Sequence, residues 1–565
     1  MHYAELKQAR EELTGPGGVF EITEIEVRGH PIRTYRHAPP SVREVWLSTV
    51  QFADRPYLVY DDETISYADA HAQVNAVAAW LADQGIVAGD RVAIAMRNYP
   101  EWMLIYWACT SCGIAVVGMN AWWTPDEMAY ALNDAQPKAL FTDQERLERL
   151  RQCEGVAADL KLVGVRLSGP APGVTAWDDV VAAGGAMPDV VVDPDADACI
   201  FYTSGTTGHP KGAQLTHRGC VGNLFNLMYA AASSALAVER ATGVAPPETP
   251  PIPAVLITTP LFHVTANNCG AYATTAAGGK LVLMYRWDPG EALKLIERER
   301  VTSMSGVPVM ARELINHPDF ASTDTSSLLA LSGGGAQVPP DLVLKIEDKV
   351  ATARPSTGYG MTETCGIITS IAGDFFVDRP DSAGPAMPNF EARCVDDDGN
   401  TVGVGEVGEL WVRGACVIKG YINRPEATAE SITDGWLHTG DVACMDEDGF
   451  IYIVDRKKDM ILRGGENVYC AEVEAAVYRH PAVAECCAFG VADERLGEEV
   501  GVAVVLKPGE TLTEAELREH CGVIMARHKV PRYIWFMDEA LPRNASGKFL
   551  RRELRDQLSP ATVPA

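Results

Sequence analysis

Residues 202–212 read YTSGTTGHPKG, a stretch with hydroxyls, glycines, one proline and one lysine and almost nothing to bury in a core. Glycine lets backbone N–H groups approach a ligand, hydroxyls add donors, and a lysine supplies a point charge. Together they suit a polyphosphate. The Walker A pattern needs G-x-x-x-x-G-K-[ST]. Counted from Gly205 the order here is G-T-T-G-H-P-K-G, with Pro210 before Lys211, so a P-loop kinase or ATPase is excluded. Surface loops also use Gly, Pro, Ser and Thr, so the reading depends on what accompanies the loop.

Four further segments carry chemistry. STGYGMTETCG (356–366) sets Tyr359, Thr362 and Glu363 after a glycine turn. A tyrosine can stack on a base, and a lone carboxylate beside phosphates suits Mg²⁺. GWLHTGD (435–441) ends in Asp441, an acceptor for ribose hydroxyls. DRKKDMILRGGENVYCAEVE (455–474) offers Arg456, Lys458 and the Gly464–Gly465 pair, and PRNASGKFLRREL (542–554) presents Lys548 after Gly547. Taken singly, each also reads as an ordinary turn, cap or solvated surface residue.

The chain has 565 residues, 47% of them apolar and 22% charged, with a net charge of −28. That length exceeds one hydrophobic core, so at least two domains are expected. The acidic balance disfavours nucleic acid as a partner, because phosphate backbones need a basic surface. The polar start MHYAELKQAREEL reads as a helix and not a secretion signal, and fourteen cysteines among apolar neighbours read as reduced thiols, so a cytoplasmic protein is expected. Cys109-x-x-Cys112 has no second pair at ligand spacing and reads as core. The uncharged run from Trp102 to Pro125 has the length of a membrane span, but Gly113 and Gly118 interrupt it; a buried helix followed by a strand is expected, with no transmembrane segment.

The elements that must position these residues alternate. Short apolar runs such as DRVAIAM, AVVGM, KALFTD, DACIFYT and VLITTP interleave with helical patterns, which argues for α/β layering with mostly parallel sheets. Residues 230–254, rich in Ala and Pro, read as a surface insertion. From about 383 to 455 short strands with Asp-Gly turns predict a β-rich subdomain. Residues 456–565 predict a small α+β domain, with a charged hinge at 455–459 that has no core to bury. Residues 1–455 then form the large domain, two mixed sheets with helices plus the β-rich part.

In order and wording these segments resemble the adenylate-forming superfamily, which includes acyl-CoA synthetases, firefly luciferases and nonribosomal-peptide adenylation domains. The resemblance runs from about residue 45 to 558. It implies that Thr203, Ser204, Gly205, Thr206, Thr207, Gly208 and Lys211 hold the β- and γ-phosphates of ATP. It places Tyr359 against adenine beside Gly334, Gly335 and Ala336, with Gly360, Met361, Thr362 and Ile453 in the same nucleotide site. Glu363, with Thr203, would hold Mg²⁺, and Asp441 and Arg456 would bind ribose. Lys548 would bridge the substrate carboxylate and the α-phosphate. Lys458 takes the hinge position, about which the small domain would swing to bring Gly464, Gly465 and Glu466 to the site for thioester formation.

The resemblance also bears on the substrates. Amino-acid-activating relatives place an aspartate in the segment that reads PLFHVTAN here (260–267); it has none, so an amino acid is disfavoured. His263 resembles a gate beside an acyl tunnel. A medium- or long-chain fatty acid is expected, with an aromatic or cyclic acid as runner-up. Coenzyme A is the expected acceptor, a carrier protein or amine the alternative, and a fused carrier after Lys548 is not expected. Where the resemblance calls for a proline after Tyr469 this chain has Cys470, at the expected coenzyme A entrance. Assembly into a homodimer stays open.

Overall fold

The computed structural model describes all residues except 1–2, 158, 204–208, 246, 248, 336–337, 351, 465, 545–546 and 559–565. Two mixed sheets form the body of the large domain. The first has seven strands in the order Lys211–Thr216, Asp197–Thr203, Ala115–Gly118, Arg91–Ala95, Ala139–Asp143, Lys161–Val165 and Val174–Ala176. Only the Lys211–Thr216 edge is antiparallel to its neighbour. The second has eight strands, of which Pro56–Tyr60, Lys280–Leu283, Ala254–Ile257, Ser303–Gly306, Ala330–Gly334 and Arg354–Met361 run parallel. Glu63–Ser66 and Gly366–Ala372 close its two edges in antiparallel fashion.

The near-continuous apolar strands are those of sheets covered on both faces. The uncharged run after Trp102 is explained the same way. Helix Pro100–Ser111 is buried along its whole length and leads into strand Ala115–Gly118, because a helix that is apolar all round must lie inside a core. Cys109 and Cys112 are buried free thiols.

A third sheet is antiparallel and takes up the β-rich stretch: Gly384–Pro385, Phe450–Arg456, Trp436–Met445, Gly408–Gly414 and Phe390–Val395. Strand Gly408–Gly414 alternates buried and half-buried residues, as a sheet with one covered face requires. The fourth sheet joins Glu466–Val468, Ile461–Arg463, Gly497–Leu506, Val483–Asp493 and Tyr533–Phe536. Helices Cys470–Tyr478 and Glu514–Ile524 cover it over a separate core that includes Val473, Val502, Leu517 and Ile534. The small α+β unit expected at the C-terminal end is therefore present.

Two features depart from expectation. Residues 230–254 are not all insertion: helix His217–Thr242 continues to Gly243, which adopts φ 71° and ends it. Ala and Ser favour or tolerate helix, and the prolines begin only at 246. This helix has the length and apolar content of a membrane span, yet it buries His217, Asn223 and Asn226. Asp455, in the segment read as a hinge with nothing to bury, is only 7% exposed. Its carboxylate accepts the N–H of Arg456 at 2.7 Å and the N–H of Cys470.

Candidate active site

Thr203, Gly334 and Tyr359 lie at or near the carboxyl ends of parallel strands, where open α/β sheets bind ligands, while Asp441, Arg456 and Lys548 are brought to them from the third sheet and the small domain. Strand Asp197–Thr203 turns back through the glycine-rich loop into Lys211–Thr216, pairing Thr203 with Lys211. The Thr203 hydroxyl donates to the Lys211 carbonyl at 3.4 Å. Ser204, Gly205, Thr206, Thr207 and Gly208 lie outside the described residues, as do Ala336 and Gly465. The loop's return arm is held from outside: Tyr130 stacks on His209 at 4.4 Å and donates to the Pro210 carbonyl at 3.2 Å.

Strand Arg354–Met361 carries Tyr359 and ends in the turn Thr362–Thr364, which places Glu363. Gly360 is required there, because a Cβ would sit 1.9 Å from the Gly366 carbonyl oxygen. Met361 and Thr362, which follow Gly360, are half-buried. Glu363 is 7% exposed. One of its oxygens accepts the Tyr421 hydroxyl at 2.8 Å, and the Lys211 ammonium lies 5.0 Å from the centre of the same Tyr421 ring.

The Tyr359 hydroxyl donates to Asp441 Oδ2 at 2.6 Å, and Arg456 Nε contacts Asp441 Oδ1 at 3.1 Å. The register of the third sheet dictates that second pair, since Asp441 and Arg456 face each other across strands Trp436–Met445 and Phe450–Arg456. The Asp441 backbone N–H also donates to Thr439 Oγ1 at 3.1 Å.

Lys548 comes from the small domain on a tight turn. The Asn544 N–H donates to the Lys548 carbonyl at 2.8 Å and the Gly547 N–H to the Asn544 carbonyl at 2.9 Å. Gly547 adopts φ 82°, and a Cβ there would meet Val307 of the large domain at 2.7 Å, so only glycine lets the turn dock this closely. A Cβ on Gly335 would lie 3.8 Å from Lys548 Cε. The cleft between the domains has a volume of about 1300 Å³. Its walls bring together Gly335, Tyr359, Gly360, Asp441, Ile453, Arg456, Lys458 and Lys548.

Lys548 stays open to the solvent of the cleft while both domains enclose it. Burial, then the charges of Arg456 and Lys458 set against Asp441 and Glu363, bring its ammonium pKa down to about 8. Burial and Arg456 lower that of Lys458 as well. His263 follows strand Ala254–Ile257, half-buried, with its ring 4.8 Å from Phe262. Burial, helped by Lys548, drops its pKa to about 4, so it is neutral at neutral pH. Gly334 ends strand Ala330–Gly334. Gly464 and Glu466 are exposed at the tip of a hairpin and form no part of the cleft wall.

Sequence reasoning missed Tyr421 and Tyr130. Tyr421 reaches Glu363 across 58 residues of chain, and no local pattern announces such a pairing. Cys470 adds two donors where proline has no N–H: its N–H to Asp455 and its thiol to the Asp459 carbonyl at 3.0 Å.

A single buried carboxylate with one engaged oxygen fits Mg²⁺ shared with a polyphosphate, which that ion binds through one or two carboxylates and substrate oxygens. Among the described residues no cluster of three His, Cys, Asp or Glu side chains offers an all-protein metal cage.

The AMP-binding enzyme family matches residues 46–422, and the AMP-binding enzyme C-terminal domain matches residues 472–548. A feruloyl-CoA synthase of an Amycolatopsis species is 37% identical over 494 residues, covering 87% of this chain and 93% of its own. A mitochondrial medium-chain acyl-CoA ligase of Mus musculus is 34% identical, covering 90% of this chain and 86% of its own. Among solved structures, the o-succinylbenzoate coenzyme A synthetase of Bacillus subtilis in complex with ATP and a magnesium ion superposes with a TM-score of 0.74 at 29% identity, covering 91% of this chain and 99% of that one.

Proposed function

The chain belongs to the AMP-binding enzymes, the adenylate-forming superfamily, and from that premise we propose that it joins a hydrophobic carboxylic acid to coenzyme A through an acyl-adenylate, releasing AMP and pyrophosphate. The observation that carries this reading is the cleft whose walls join Lys548 of the small domain to Gly335, Tyr359 and Asp441 of the large one.

A carboxylate is a poor acyl donor because oxide would have to leave. Attack by the acid on the α-phosphorus of ATP expels pyrophosphate and makes AMP the later leaving group. Two anions must meet, so positive charge has to be in place beforehand. In this reading Asp441, steadied by Tyr359 and Arg456, accepts the ribose hydroxyls, and Tyr359 lies along the base. Lys211 and the loop from Thr203 hold the departing pyrophosphate. Lys548 spans the acid and the α-phosphate. Glu363 and Thr203 would hold Mg²⁺, which when bound neutralises phosphate charge. His263, uncharged at neutral pH, lines the acyl entrance without pairing to the carboxylate.

The thiol then attacks the adenylate carbonyl. For that step the small domain swings about Lys458, withdrawing Lys548 and bringing in the Gly464–Glu466 hairpin. The domain boundary is set at 455–456. The free, mostly buried cysteines suit a reducing cytoplasm.

A medium- or long-chain fatty acid is the first reading of the acid, in keeping with the medium-chain ligase relative. An aromatic acid is the second. It is favoured by the rings around Phe262, with Trp122 at 5.6 Å and Trp102 at 6.4 Å, and by the feruloyl-CoA synthase relative. Steady-state turnover on fatty, aryl and amino acids, each with and without coenzyme A, tests this. Acyl-CoA from fatty acids supports the first reading and acyl-CoA from aryl acids the second. Release of one equivalent of pyrophosphate that stops despite coenzyme A overturns it as acceptor, in favour of a carrier protein or amine.

A further inference from the structure

Tyr421 touches two groups of opposite charge at once. Its hydroxyl donates to Glu363 Oε1 at 2.8 Å, and the Lys211 ammonium sits 5.0 Å from the centre of its ring. The ring is 9% exposed, so its position is set by packing. The backbone around it is stitched to both partners. The Ile422 N–H donates to the Gly212 carbonyl at 2.8 Å and the Gln214 N–H to the Gly420 carbonyl at 2.9 Å, which lays residues 419–422 along the strand that begins with Lys211. On the other side the Ile418 N–H donates to the Glu363 carbonyl at 3.0 Å. The Tyr421 N–H is itself held by Thr428 Oγ1 at 2.9 Å.

A lysine and a glutamate left facing each other in a partly enclosed cleft collapse into an ion pair, because enclosure strengthens their attraction. Here no ion pair joins Lys211 to Glu363; each is bound instead to a different part of one phenol, the cation near its ring and the carboxylate at its hydroxyl. We propose that Tyr421 is a positioning residue that keeps Lys211 and Glu363 apart, so that the lysine remains free for phosphate and the second carboxylate oxygen for a divalent cation. The phenol removes no charge from either partner. It fixes the carboxylate through Oε1 and leaves Oε2 without a bond to any described residue. This inference rests on the adenylation reading of the cleft.

The test is a binding measurement, with Mn²⁺ as the metal and α,β-methylene-ATP as a nucleotide whose α–β bridge cannot be cleaved to transfer the adenylyl group. Mn²⁺ affinity is read by electron spin resonance and metal-free nucleotide affinity by calorimetry. Tyr421→Phe keeps the ring and loses the donor; it weakens Mn²⁺ roughly three- to tenfold, the range of one hydrogen bond, and leaves metal-free nucleotide binding unchanged. Tyr421→Leu removes the spacer as well and weakens both ligands. Adding Lys211→Met to Tyr421→Leu then brings Mn²⁺ affinity back to the Tyr421→Phe level but does not restore nucleotide affinity, because the competing cation is gone while the phenol donor is still missing. A merely structural tyrosine lowers both affinities in parallel and gives no rescue.

Unchanged Mn²⁺ affinity in Tyr421→Phe, or a Tyr421→Leu defect that Lys211→Met does not relieve, overturns the inference alone. Should Tyr421→Leu not fold, Tyr421→Phe decides by itself. Wild-type protein that binds neither the nucleotide nor its Mn²⁺ complex overturns the adenylation reading, and the inference with it.

Discussion

The pH dependence of the first half-reaction follows from where Lys548 sits. An exposed lysine stays protonated to about pH 10, but enclosure by both domains and the charges of Arg456 and Lys458 bring Lys548 down to about 8. Its charged form is the useful one, since it must meet a carboxylate and a phosphate. The adenylation rate at limiting substrate, which reports the free enzyme, therefore falls as pH rises through about 8. At pH 9 about one lysine in ten remains charged, a loss of roughly tenfold that an ordinary lysine would not show. Lys548→Arg separates this from other alkaline effects, because a guanidinium keeps its proton throughout. The assay is initial pyrophosphate release at low ATP and low acid from about pH 7 to 9.5, with circular dichroism confirming the fold at each pH. Wild type loses rate above pH 8, while Lys548→Arg is slower overall and flat. A wild-type limb that persists unchanged in Lys548→Arg refutes the reasoning, and so does a wild-type rate that holds to pH 9.5.

Lys548→Ala nearly abolishes adenylation but largely spares thioester formation from supplied acyl-adenylate; equal loss in both steps removes its assigned role. Asp441→Asn gives up an ionised acceptor that Tyr359 and Arg456 hold in place, so the KM for ATP rises by roughly tenfold or more while the KM for the acid stays within error. Gly360→Ala drives a Cβ against the Gly366 carbonyl and lowers stability by about 3 kcal/mol; an unchanged denaturation midpoint contradicts the packing argument. Cys470→Pro removes the N–H donor to Asp455 and the thiol donor to Asp459. A loss of about 1–3 kcal/mol, read as a lower melting temperature, is expected from one unsatisfied buried acceptor.

One cleft brings Tyr359, Asp441 and Lys548 together, yet taken singly each reads as an ordinary turn or surface residue, and only the order of the segments along the chain marks them as a set. The buried helix after Pro100 was legible, since an uncharged run interrupted by glycine has few other homes. What the sequence hid depends on distant partners. Tyr421 looks like any buried tyrosine until the fold brings Glu363 and Lys211 to its two ends. The burial of Asp455 escaped notice because its neighbours in sequence are charged, whereas its burial comes from helix Cys470–Tyr478, whose first N–H it accepts. Alanine-rich composition suits both a helix and a loose insertion, so the sequence alone does not show that the helix from His217 runs on to Thr242. Gly464 and Glu466 matched a motif, yet motif membership does not say which orientation of the small domain a structure displays.

The most direct test of the central claim is acid-dependent isotope exchange between pyrophosphate and ATP, measured without coenzyme A. A reversible adenylation predicts label entering ATP only when a suitable hydrophobic acid is present, and AMP with acyl-CoA once coenzyme A is added. ADP and phosphate as products, or exchange that is indifferent to the acid, would contradict the account.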